Sequence, residues 1–140
     1  MKFQANSVEY WSRDGVKTVF FGHEEKELAL LMSNVPGTPD HYLEWNEQSN
    51  ACINAVKKIQ FSPQELQIHL LPEAAKRLGV ADFVIAFVIA EPDFKEISQY
   101  LFRIFGEQLI IKKNDAPKKA PSKQDYSRVK YLNLEGKNLK

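Results

Sequence analysis

The groups in this chain able to act as base, nucleophile or metal ligand are three histidines, His23, His41 and His69, the lone thiol of Cys52, and scattered carboxylates. A thiol beside an imidazole would support nucleophilic catalysis, the ring taking the proton from sulfur. A zinc site would need histidines one helical turn apart or a local histidine and cysteine cluster, and neither spacing occurs. Glu44 and Glu47 fall on opposite sides of an extended segment, and Glu24, Glu25 and Glu27 read as a solvated bend, so no acid and base pair converges. Glycine-rich phosphate loops, the nucleophile elbow and the dinucleotide fingerprint are missing from the sequence. Cys52, between Ala51 and Ile53, reads as a small packed side chain, and His69 as an exposed residue on the polar side of a strand. A composite Cys52 and His69 enzyme site stays open as an alternative, because such partners can be distant in sequence. No catalytic residue, metal or cofactor is expected.

One stretch does concentrate hydrogen-bonding groups. From His41 to Gln48 the residues alternate, which puts Leu43 and Trp45 on one side of a strand and Tyr42, Glu44, Asn46 and Gln48 on the other. Ser49, Asn50 and Asn54 follow in a loop. Donors and acceptors at fixed strand spacing suit recognition of a partner, and Glu44, Asn46, Gln48, Asn50 and Asn54 are the candidate partner-binding residues. The same row also reads as the wet side of a sheet with an Asn-rich turn.

These residues need a scaffold. Phe83-Val84-Ile85-Ala86-Phe87-Val88-Ile89 is an unbroken apolar run bounded by Gly79 and Pro92, the pattern of a strand buried on both faces at the centre of a sheet. Residues 93–105 then place Phe94, Ile97, Leu101, Ile104 and Phe105 on one arc of a helix, with Lys95, Glu96, Gln99 and Arg103 opposite. Asp93 and Glu96 have capping-box spacing, and Gly106 supplies the stop.

Upstream, residues 3–11 and 16–21 form a hairpin about Asp14-Gly15, residues 28–32 a strand, and Pro36 to Asp40 a break. Residues 55–61 and 66–70 make a second hairpin across Ser62 to Glu65, and Pro72 to Gly79 a short helix. The expectation is an α+β domain over residues 1–111, an antiparallel sheet with a short helix and one long amphipathic helix packed on one face. Residues 112–124 read as a lysine-rich linker, and residues 126–134 as an edge strand or a segment ordered by a partner.

Charge divides the chain. Residues 1–111 hold ten Lys or Arg against fifteen Asp or Glu, a balance of −5, and residues 112–140 hold nine against three, a balance of +6. An acidic body favours encounter with a basic partner and repels nucleic acid, which disfavours nucleic-acid binding. A mild negative balance also serves solubility alone. A single cysteine allows no intrachain disulfide. No apolar window is long enough to cross a membrane and the first residues lack a secretory core, so no membrane partner and a cytoplasmic location are expected.

Residues 41–105 resemble the immunity protein 10 family of bacterial polymorphic toxin systems. The matching positions are Tyr42, Glu44, Asn46, Gln48 and Asn54, then Ile59, Leu66, Ile68 and Leu70, then Phe94, Leu101, Ile104 and Phe105. The resemblance covers about half the chain, and the tail after Gly106 lies outside it. It implies a non-enzymatic protein whose partner is a cognate toxin domain, neutralised by occlusion. The alternative to both this and the enzyme is a small cytoplasmic adaptor that docks through its basic tail.

Overall fold

Alternation of apolar and polar residues over the first seventy positions builds strands, and the two helical patterns follow. The computed structural model describes residues 1–113 and 126–133 and has the α+β class expected. In chain order the elements are β1 (Lys2–Gln4), β2 (Ser7–Arg13), β3 (Val16–His23), β4 (Leu28–Asn34), β5 (His41–Trp45), β6 (Ala51–Ile53), β7 (Val56–Phe61) and β8 (Glu65–Leu70), then α1 (Pro72–Leu78), β9 (Asp82–Ala86), α2 (Glu91–Phe105), β10 (Leu109–Ile111) and β11 (Arg128–Asn133).

The single antiparallel sheet expected from local patterns is instead two sheets. One has five strands in the order β1-β9-β8-β7-β10, and the other six in the order β11-β2-β3-β4-β5-β6. Pairing is antiparallel through the middle of each, while β1 joins β9, β10 joins β7 and β11 joins β2 in parallel. A hairpin can only give an antiparallel neighbour, so a parallel one must come from a remote part of the chain. Phe3 therefore belongs to β1 in the five-stranded sheet and not to the β2–β3 hairpin. Of the segment expected at residues 126–134, Arg128–Asn133 form β11 and residue 134 lies outside the described residues; the strand is held at its start by Ser127, whose Oγ donates to the Ala5 carbonyl at 2.8 Å and accepts from the Val88 N–H at 3.1 Å.

The inner faces of the two sheets meet through aromatic contacts. Phe21 lies 5.3 Å from Phe87 and 6.5 Å from Phe61 between ring centroids, and Trp45 lies 4.9 Å from Phe83 and 5.9 Å from Phe3. Helix α2 buries the five side chains that its periodicity selects and packs against β3, β4 and β10, with Phe94 stacked on Phe61 at 5.0 Å. Burying five such side chains is worth on the order of 10 kcal/mol before ordering entropy.

Two expectations about this region are corrected. The apolar run is not one doubly buried central strand: β9 covers only Asp82–Ala86, alternates in burial, and lies second from the edge, with β8 central. Phe87 and Ile89 are buried for another reason, because their backbone follows the β7–β8 turn, Phe87 N–H donating to the Gln64 carbonyl at 3.1 Å. Nor does the capping box form. Helix α2 starts at Glu91 with Pro92 in its first turn and Ala90 as an N-cap without a side-chain bond, and Glu96 instead accepts from the Tyr10 hydroxyl at 3.0 Å. Proline's preset φ suits the first helical turn, and its missing N–H is no loss there.

Candidate functional site

The polar row expected from residues 41–54 comes apart at Asn46. Strand β5 ends at Trp45, and Asn46 has φ 66, a left-handed conformation that turns the chain out of the strand. Its Oδ1 accepts from the Ala29 N–H at 2.9 Å and its own N–H donates to the Ala29 carbonyl at 2.7 Å, so Asn46 closes the end of the β4–β5 ladder. Gln48 begins an exposed 3-10 turn, and Asn50 is half-buried there with its N–H on the Glu47 carbonyl at 2.8 Å. Asn54, at φ 57, accepts from the His41 N–H at 3.0 Å and donates to Asp40 Oδ1 at 2.9 Å. Asn46 and Asn54 therefore hold backbone, and of the five candidates only Glu44 stands on a strand face. Its Oε1 accepts from the Tyr42 hydroxyl at 2.6 Å, and that bond, with burial and the carboxylate charge, pushes the phenol up to about 12.

The histidines have separate surroundings. His41 is buried, its Nε2 accepting from the Val56 N–H at 3.1 Å and its ring centroid 4.8 Å from that of Phe105. Burial pulls its pKa down to about 4, against a smaller opposing pull from Asp40. His23 Nδ1 accepts from the Lys26 N–H in the β3–β4 turn. His69 pairs with Asp82 across β8 and β9 at 2.6 Å, with both side chains about half exposed. Cys52 lines a depression of about 210 Å³ with Ile53, Asn54, Ala55, Leu71, Glu73, Ala74 and Arg77, none of them a histidine. Among the described residues no group of three or more His, Cys, Asp or Glu is placed to hold a metal ion.

The structure assembles another surface that the local patterns do not reveal. Because side chains alternate along each strand, every second residue of the six-stranded sheet faces away from the five-stranded one. Register aligns them in rows: Lys130, Glu9, Phe20, Leu31, Glu44 and Ala51 across one, and Leu132, Trp11, Thr18, Ser33, Tyr42 and Ile53 across the next. Trp11, Phe20, Leu31 and Tyr42 are half-buried and Ile53 is 54% exposed. Among the described residues no helix covers this face, since α2 lies on the inner side, where Glu96 meets Tyr10 and Tyr100 packs on Tyr10 at 5.1 Å.

Gly22, next to the end of β3, shapes this face: a Cβ there would stand 2.6 Å from a ring carbon of Phe20, so the Phe20 ring leans over the glycine. The one sequence signal for this surface is the pair Phe20-Phe21, in which two successive aromatics must point to opposite sides of a strand. Comparison with protein-family models, curated proteins and solved structures found no match for this chain.

Proposed function

We propose that this chain is a non-catalytic immunity protein that binds a cognate toxin domain in the cytoplasm and neutralises it by covering it. The observation that carries the reading is the outer face of the six-stranded sheet, where Trp11, Phe20, Leu31, Tyr42 and Ile53 form an apolar strip edged by carboxylates. Partly exposed apolar side chains gathered on one face mark protein contact sites, and such aromatics are the usual anchors. Six strands at about 4.8 Å spacing, averaging about 20 Å in length, give a face of roughly 580 Å², a large part of the ~800 Å² that each partner contributes to a stable complex.

Electrostatics and resemblance support the same reading. The balance of −5 over residues 1–111, set apart from the +6 of residues 112–140, favours a basic partner that meets the acidic body. The likeness of residues 41–105 to the immunity protein 10 family suggests the same role. Occlusion needs no cofactor, only a surface that holds its shape. On this reading Glu44 contacts the toxin, Gln48 and Asn50 lie at the rim, and Asn46 and Asn54 act through the backbone they hold.

The test is co-expression with the toxin encoded beside this chain's gene. Cells making the unaltered protein should survive. Those making the Phe20→Ser and Leu31→Ser double variant should die although the variant's thermal melt stays cooperative. Survival with a folded double variant would sink the proposal for this face.

A further inference from the structure

We infer that the outer face of the six-stranded sheet recognises an extended segment of its partner that runs across the strands and carries two arginines flanking an aromatic residue, in the order Arg-x-Trp-x-Arg. This rests on the protein-binding reading above and adds the partner's chemistry to it. The basis is one row of paired residues from β2 to β5: Glu9, Phe20, Leu31, Glu44. Three interstrand steps of about 4.8 Å put the two glutamate positions roughly 14 Å apart.

An extended chain rises about 3.4 Å per residue and alternates sides, so its positions i and i+4 also lie roughly 14 Å apart on one side, with i+2 midway. Side chains at those three positions stand over Glu9, over the Phe20 and Leu31 pair, and over Glu44. The end groups must be cationic to meet carboxylates. Arginine fits better than lysine because its planar fork can hold both oxygens and sheds water more readily.

The receiving groups are already arranged. The Tyr42 hydroxyl holds Glu44 through Oε1 at 2.6 Å, so that carboxylate pays little ordering entropy on binding. The Phe20 ring leans over Gly22, one row along from the glutamates, and offers an apolar surface beside the line that joins them, while Leu31 stands in the row itself. Beyond Glu44 the row ends in Ala51, whereas beyond Glu9 it continues to the exposed Lys130. Glu44 is thus the stronger post, and Lys130 competes with an arriving arginine for Glu9.

The probe is a disulfide-closed β-hairpin peptide that displays Arg-x-Trp-x-Arg on one face, titrated into the full chain and followed by amide chemical shifts. Shifts should concentrate at Phe20, Leu31 and Tyr42. A hairpin with its arginines at i and i+2 should bind at least about fivefold more weakly. The Glu9→Lys and Glu44→Lys double variant should lose the first hairpin by about tenfold or more and gain one that displays Glu-x-Trp-x-Glu. Lys130→Ala should tighten the arginine hairpin about twofold.

Equal binding of the two spacings, or no effect of charge reversal in a variant whose melt is unchanged, would overturn the inference. If the hairpin fails to bind while the toxin itself shifts Phe20 and Leu31, the cation spacing is refuted and the face stands. A toxin footprint elsewhere on the chain refutes both.

Discussion

Acid should loosen this fold through His41, and the size of the effect follows from its surroundings. The ring is 4% exposed, its Nε2 accepts the Val56 N–H, and burial holds its pKa near 4. Unfolded, the same imidazole returns to an ordinary value of about 6.5. Because the unfolded chain takes up the proton first, the neutral ring's contribution to stability is complete above pH ~6.5 and falls as pH drops towards ~4. At pH ~4.5 the two values give a loss of about 2.5 kcal/mol from this one residue.

The perturbation is His41→Gln, whose side-chain oxygen can still accept from Val56 but cannot titrate. Urea unfolding at pH 7.5 and pH 4.5 supplies the assay, each protein being compared only with itself. The unaltered chain should lose about 2.5 kcal/mol more between those pH values than the variant does, the carboxylates contributing equally to both. Direct titration of the imidazole by NMR should place its midpoint near 4. Equal losses in the two proteins, or a midpoint near the ordinary value, would show that the buried acceptor role assigned to His41 is wrong.

Gly22→Ala should destabilise by about 1–3 kcal/mol in thermal melts, since the new methyl meets the Phe20 ring and, at 2.9 Å, the Leu28 carbonyl oxygen. Under the function proposed above it should also weaken partner binding, by lifting the ring off the sheet, and unchanged stability would contradict the close approach. Asn54→Ala should cost about 2 kcal/mol and Asn54→Gly about 1, because both lose the bonds to His41 and Asp40 but only alanine resists φ 57; equal costs would exclude backbone strain as part of the effect. Ending the chain at Asp125 removes β11 and bares the long edge of β2. That truncation should lower stability and promote self-association in sedimentation measurements, and a monodisperse, equally stable product would show β11 to be dispensable.

The legible parts of this protein are those in which neighbouring residues decide their own geometry. The five apolar positions of α2, the turn at Asp14-Gly15, the β7–β8 hairpin and the glycine-ended α1 all follow from period, turn chemistry and propensity within a few residues. The same local reasoning failed where a distant group competed for a side chain. Glu96 was available to cap its helix and bonds Tyr10 instead. Asn46 fits a strand by alternation but ends one, because the β4–β5 ladder needs its oxygen at Ala29. Of the linker expected at residues 112–124, all but the first two residues lie outside the described residues.

What the chain's own pattern determined was a mixed α+β body with an acidic balance and scattered reactive groups. Only tertiary structure decided that two sheets form, that remote strands close three of their four edges in parallel, and that Glu9, Phe20, Leu31 and Glu44 stand in one row. The physical reason is that periodicity states which side of its own strand a residue takes, whereas a surface row depends on the register of three separate pairings. Register is set by burial of the opposite face, here Val8, Val19, Met32 and Leu43.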